Sequence, residues 1–487
     1  MEAYLKKIED VIAMGPYKAD WESLSKMEKP SWFPKAKFGI FVHWGLYSVA
    51  ANSNEWYSRN MYIDGYPAFE HHVKTYGPQS KFGYKDFIPM FTAEKFDADA
   101  WVELFKEAGA EYLFPVSEHH DGFQMYRSDI SHYNAAEMGP KRDVLGELRT
   151  AAEKQNMVFC TSNHRAEHWW FMGHGKEFDS DIKEPMQRGD FYWPAMPEPD
   201  NEDLYSEPYP SEEFLNDWLI RVCEIIDQYQ PALLYFDWWV QHEAFKKHLK
   251  KLMAYYYNRS VEWGKNVAIC YKHDAIPFGM GIVEVERGGF KDPKPYVWQT
   301  DTAVAHNSWC YTDTLDYKTP YDIICMLIDV VSKNGNLLLN VGPKGDGSIP
   351  EGDTHILKEI GKWMKVNGEA IKESQTWRKC KEGPTEEVEG QFTDGKKSFT
   401  EKDFKFTCKG SSIYAFAMQY PKDGRVCITS LKKSADQNRP EFHGIIRRVS
   451  ILGFQDDVDF SITEDGLVFT AEDVSSPYPV CIKIEMA

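Results

Sequence analysis

No stretch of the 487 residues approaches the ~18 consecutive apolar residues that would cross a bilayer. The first residues, Met1-Glu2-Ala3-Tyr4-Leu5-Lys6-Lys7, lack the apolar centre of a signal peptide. The expectation is a cytoplasmic protein, or a periplasmic or secreted one whose leader has been removed. There is no Cys-x-x-Cys pair. The nine cysteines are scattered and odd in number, which fits free buried thiols better than a disulfide framework or a zinc site. Basic charge is short too: 56 Lys and Arg face 75 Asp and Glu, a formal net charge of −19. That argues against nucleic acid and against an anionic membrane surface, which both demand a basic footprint. A neutral sugar stays compatible. No glycine-rich phosphate loop follows the first strand, and no internal repeat or low-complexity segment is present.

Aromatic residues, by contrast, are plentiful at 15%, including 16 Trp and 27 Tyr. Large rings fill cores, but indole faces also stack on the apolar faces of sugars. The most telling stretch is Pro231-Ala232-Leu233-Leu234-Tyr235-Phe236-Asp237-Trp238-Trp239. Its short apolar run reads as a buried strand that ends in a carboxylate and two indoles. Taken alone, a strand-end Asp is more often a helix cap than a catalyst. Its context decides.

Residues 1–30 read as a charged, helical lead-in. Buried strands are then expected at Phe38–Val42, Tyr112–Val116, Val158–Cys160, the Asp237 strand, Val267–Tyr271 and Leu337–Val341. Amphipathic helices are expected at 93–108, 143–155, 211–228, 242–258, 320–334 and 354–373. Strands alternating with helices predict an α/β fold with a parallel sheet, here a (β/α)8-like TIM barrel over residues 1–376. After Trp377 short strands with turn signals such as Lys422-Asp423-Gly424 predict an antiparallel β-sandwich over 377–487.

Each expected strand delivers polar groups at its C-terminal end, the active-site face of such a barrel. His43 and Trp44 end the first. Glu55 and Trp56 follow in a loop. His119 and His120 end the second, and Asp237 ends another. A lone histidine is usually structural, but several converging on one mouth are a constellation. His119-His120-Asp121 invites a metal reading. Adjacent residues on an extended segment point apart, however, and no His-x-His or helical His-x-x-x-His partner is present, so no metal is expected. Two carboxyl groups roughly 5 Å apart would serve a retaining glycosidase. Asp237 is the candidate nucleophile. Glu284, Glu286 and Glu55 are candidates for the acid/base, and the same-face spacing of Glu284 and Glu286 does not separate them.

These motifs together resemble glycoside hydrolase family 29, the α-L-fucosidases. The resemblance runs in order through most of 30–375: Lys37 to Gly45, Glu55 to Tyr62, Ala108 to Tyr112, His119 to Phe123, Phe236-Asp237, Trp298 to Asp301, Ser308-Trp309, Asn334 to Pro343 and Asp346-Gly347. It implies a barrel followed by a β-sandwich, and a retaining, exo-acting cleavage of terminal α-L-fucose through a covalent intermediate, without metal or cofactor. By the same resemblance the nucleophile falls on Asp237, and sugar contacts fall on His43, Glu55, Trp56, His119 and His120, while Trp238, Trp239 or Trp309 would pack against the C5 methyl of fucose. Lys272 stands where many members carry Arg. Gln299 stands where many carry a Glu, and an amide cannot serve as general acid. The better match for the acid/base is then Glu286. The implied partner is a fucosylated oligosaccharide or glycoconjugate. An α-L-galactosidase-like enzyme of the same fold, or a catalytically impaired carbohydrate-binding protein, are the rival readings. The proline-rich 171–210 segment is expected to cover the site or to join a neighbouring subunit in a homo-oligomer.

Overall fold

The computed structural model describes residues 1–434, 436, 438–439 and 441–487. Nine parallel strands build its main sheet: β1 Phe38–Val42, β2 Tyr112–Glu118, β3 Val158–Phe159, β4 Thr161–Asn163, β5 Leu233–Phe236, β6 Ala268–Tyr271, β7 Ile282–Glu286, β8 Trp298–Ala303 and β9 Gly335–Val341. β3 and β4 are two halves of one stave, broken at Cys160, so the barrel has eight staves. It closes because β1 pairs with both β2 and β9. Most of these strands are buried along their whole length, as parallel strands covered by helices must be.

Six long helices wrap it. Ala98–Glu107 precedes β2, Val144–Lys154 precedes β3, Glu212–Tyr229 precedes β5, Lys246–Trp263 precedes β6, Pro320–Ser332 precedes β9, and Glu351–Asn367 follows β9. Several start where the sequence supplies a cap. The Asp97 carboxylate accepts from the Ala100 N–H, and Thr319 and Asp322 form a capping box. The connections from β6 to β7 and from β7 to β8 carry no helix, which leaves one flank of the barrel open.

Beyond the barrel, eight strands form two antiparallel sheets: β10 Gln375–Glu382, β11 Phe404–Lys409, β12 Ser412–Ala417, β13 Arg425–Ile428, β14 Ile446–Ile451, β15 Phe460–Ile462, β16 Leu467–Thr470 and β17 Val480–Met486. One sheet runs β10-β11-β12-β17-β14 and the other β13-β16-β15. Phe406, Ala415 and Ile482 of the first share one apolar core with Val426, Leu467 and Phe469 of the second, so the two face each other as a sandwich. The sandwich is fastened to the barrel by polar contacts: Trp363 Nε1 donates to Pro479 O at 2.8 Å and Tyr321 OH to Met418 O at 2.9 Å. The chain between β10 and β11 does not stay with the sandwich. It returns to the helix-free flank, where Gly390 and Gly289 exchange backbone hydrogen bonds of 3.1 and 2.9 Å. Among the described residues no helix is long and apolar enough to cross a membrane.

Candidate active site

A cavity of about 370 Å³ opens at the C-terminal ends of the barrel strands. The acid/base candidate Glu284 does not border it, but nine of the residues expected at the site do: His43, Glu55, Trp56, His119, His120, Asp237, Lys272, Glu286 and Trp309. The strand-to-loop transitions put them there. Asp237 is the first residue past β5, Lys272 the first past β6, His43 the first past β1 and His119 the first past β2, while Glu286 is the last of β7.

Lys272 ties the acidic groups together. Its Nζ donates to Asp237 Oδ1 at 2.8 Å and to Glu286 Oε2 at 2.7 Å. Both oxygens lie within 2.8 Å of one nitrogen, so they lie within twice that distance of each other. Burial alone would push the Asp237 carboxyl up. The Lys272 ammonium and a 2.8 Å hydrogen bond from His164 Nδ1–H outweigh it and hold Asp237 well below the usual carboxylate range. Burial likewise opposes the charge on Lys272, but Asp237 and Glu286 overcome it and raise its pKa well above the ordinary lysine value.

Burial favours the neutral form of His43, His119 and His120. Burial drives His43 and His119 far down, and His120 to about 3. Fixed partners set their tautomers. His43 Nδ1–H donates to Asn340 Oδ1 at 2.6 Å, and His120 Nδ1–H to the His164 carbonyl at 2.9 Å. Each keeps its Nε2 as an acceptor, and His120 Nε2 lies 3.7 Å from Asp237 Oδ2. His119 Nδ1 is buried without a protein partner. Glu55 Oε2 accepts from the Trp309 N–H at 3.0 Å, and burial raises the Glu55 pKa. The Trp56 and Trp238 rings lie parallel with centroids 6.3 Å apart, and the Arg59 guanidinium sits 5.4 Å over Trp56. Glu198, from the proline-rich 171–210 segment, accepts from Arg59 Nε at 2.9 Å. That segment therefore buttresses one wall of the site.

Two three-residue groups among the described residues have ligand atoms within 4.8 Å of one another: His43, His119 and His164, and His120, His164 and Asp237. Sequence spacing gave no hint of either, because the rings come from separate strands and the chain turns at His119. His43 Nδ1, His120 Nδ1 and both nitrogens of His164 already have hydrogen-bond partners, and the Lys272 ammonium supplies a cation beside Asp237. Sequence reasoning places His164 only within Asn163 to Trp170, a stretch expected to line the sugar or aglycone site, and gives it no role of its own. Its Nδ1 is hydrogen-bonded to Asp237 and its Nε2 to Ser162 Oγ at 2.9 Å, so both ring nitrogens are engaged. Its position at the end of the Thr161-Ser162-Asn163 strand was the available signal. Asp301, Tyr235, His273 and Phe392 were likewise not singled out and also line the cavity. Tyr235 OH donates to Asp301 Oδ2 at 2.7 Å, and burial lifts the Asp301 carboxyl to about 6.

The three acid/base candidates now occupy different places. Glu286 faces the cavity. Glu284, two residues deeper on the same face of β7, is buried inside the barrel and accepts from Gln299 Nε2. Glu55 is tied to the Trp309 backbone. Of the indoles, Trp238 and Trp309 border the cavity, whereas Trp239 is buried against His242, ring centroids 5.2 Å apart.

An alpha-L-fucosidase family model matches residues 5–369. The tissue alpha-L-fucosidase of Bos taurus is 29% identical over 465 residues, covering 92% of this chain and 86% of its own. The plasma alpha-L-fucosidase of Homo sapiens is 30% identical over 423 residues, covering 84% and 80%. The crystal structure of Thermotoga maritima alpha-fucosidase in complex with a mechanism-based inhibitor superposes with a TM-score of 0.75 at 29% identity, over 96% of this chain and 100% of that one. A closed barrel with carboxylates, neutral imidazoles and indoles at its mouth makes the protein a glycoside hydrolase. Within that class, the chain belongs to the α-L-fucosidase family.

Proposed function

We propose that the protein releases terminal α-L-fucose from fucosylated oligosaccharides or glycoconjugates with retention of configuration. Asp237 is the nucleophile and Glu286 the general acid/base. The observation that carries this reading is the single Lys272 ammonium hydrogen-bonded to both carboxylates. It limits their separation to the range of retaining enzymes, whose two carboxyl groups sit about 5–5.5 Å apart rather than the ~6.5–9.5 Å of inverting ones.

In the first step the ionised Asp237 attacks the anomeric carbon. The bond to the leaving oxygen breaks as Glu286 delivers its proton there. The ester that forms removes the negative charge from Asp237. Glu286, its proton given to the leaving group, is the carboxylate that the second step needs. That carboxylate takes a proton from water as the water attacks the anomeric carbon, the bond from that carbon to Asp237 breaks, and fucose leaves with its anomeric centre inverted twice. The accepting Nε2 atoms of His43 and His120, with His119 and Glu55, suit the hydroxyl groups of one sugar ring. Trp56 and Trp309 supply flat apolar walls. The Thermotoga maritima relative was solved with a mechanism-based inhibitor, which fits covalent chemistry.

The test is turnover of an aryl α-L-fucoside. Asp237→Gly should lose several orders of magnitude in kcat, and near-wild-type turnover would overturn the nucleophile assignment. Glu286→Ala should be rescued by azide with formation of α-fucosyl azide, because azide replaces water in the second displacement. Rescue of Glu284→Ala or Glu55→Ala instead would move the acid/base role to that residue.

A further inference from the structure

The cavity holds one residue that does not come from the barrel. Phe392 belongs to the segment between β10 and β11, yet it lines the same space as Asp237 and Glu286. Its ring is 67% exposed, and it has φ of +54°, a left-handed conformation unusual for an aromatic residue. Such strain persists only where the surroundings enforce it, and it collects at ligand-binding sites.

The enforcing contacts are specific. The Phe392 N–H donates to the carbonyl of Glu286 at 2.9 Å, and the Asp394 N–H to the carbonyl of Arg287 at 2.9 Å. Thr302 Oγ1 donates to Asp394 Oδ2 at 2.6 Å. Upstream, Glu387 is buried among Lys333, Lys381 and Lys405. The segment is thus pinned on both sides of Phe392, and its exposed ring is a placed feature. It stands beside the residue whose proton goes to the leaving oxygen, on the flank of the barrel that lacks helices.

We propose that Phe392 is the platform for the leaving group: its ring stacks on the C–H face of the pyranose to which fucose is attached. The C-terminal part of the chain thereby contributes to substrate choice. This rests on the fucosidase reading above and adds to it the subsite for the next sugar, with a hexopyranose or N-acetylhexosaminyl unit as ligand.

The experiment compares two substrates that share the fucosyl group. α-L-Fucosyl fluoride has a leaving group of one atom and cannot reach Phe392, while a fucosylated disaccharide presents a ring. Phe392→Ala should lower kcat/KM on the fucosyl disaccharide by about tenfold or more, chiefly through KM, and change fucosyl fluoride less than twofold. Phe392→Gly should behave the same way while adopting the positive φ without strain, which guards against a loop that merely collapses. Phe392→Tyr should restore the disaccharide activity. Equal effects on both substrates, or none on either, would overturn the platform while leaving the fucosidase reading intact. Wild-type enzyme that turned over neither substrate would overturn both.

Discussion

Lys272 joins the two carboxylates of the proposed mechanism. A buried carboxylate ordinarily takes up a proton, because a low-dielectric surrounding penalises charge. Here an ammonium at 2.8 Å reverses that outcome for Asp237. Removing it should restore the ordinary behaviour. In Lys272→Met, the Asp237 pKa should rise, so a larger fraction of the proposed nucleophile is protonated at any given acidic pH. The acid limb of the kcat/KM profile should move to higher pH than in the wild type, and kcat at the optimum should fall by about 10²–10³-fold, the usual effect of deleting one preorganised charge partner. Lys272→Arg keeps the cation and should keep the wild-type acid limb, although its planar fork cannot reproduce a point charge shared between two carboxylates. A pH–rate series on an aryl fucoside checks both. If Lys272→Met left the acid limb in place, the lysine would not be what keeps Asp237 ionised.

At the level of elements, the staves are held in register by rings and amides that cross the barrel interior. Tyr112 OH donates to Gln299 Oε1 at 2.6 Å, and Gln299 passes the link to Glu284. Gln299 is therefore a structural strut beneath the mouth. The Tyr112 ring can cross only because β1 has glycine opposite it: a Cβ on Gly39 would meet the ring at 2.2 Å. That gap explains the glycine in the Phe38-Gly39-Ile40 strand. Gly39→Ala should destabilise the protein by about 1–3 kcal/mol, the cost of overpacking a filled core. A urea unfolding midpoint equal to the wild-type value would show that the ring can move aside.

For the whole molecule, the barrel and sandwich share a buried charge network. Lys333 and Lys405 each contact both Asp329, on the last turns of the helix Pro320–Ser332, and Glu387, on the returning segment. Ammonium groups buried together need both carboxylates. Glu387→Gln would leave Lys405 and Lys333 facing each other with one acid between them, and breaking such a buried set costs about 3–5 kcal/mol. The expected result is a lower unfolding midpoint together with weaker turnover of fucosyl disaccharides, since the same segment carries Phe392. A loss of stability with undiminished disaccharide turnover would separate the two roles.

The sequence by itself determined the architecture and half of the site. Alternating apolar runs and amphipathic helices require a parallel sheet with covered faces, and residues at the C-terminal ends of such strands must meet at one mouth. Asp237, His43, His119 and His120 were legible for that reason. Helix limits shifted by a few residues, as for the last barrel helix, expected at 354–373 and found at Glu351–Asn367, because packing and not propensity sets the ends. What only the tertiary structure decided is which groups touch. Glu284 and Glu286 share a face and a residue type, so only depth along β7 separates a buried strut from a cavity-facing acid. His164 lies 73 positions from Asp237 along the chain and 2.8 Å from it in space. Phe392 reaches the mouth from beyond the barrel altogether, through hydrogen bonds between backbone groups that every residue carries and no motif records.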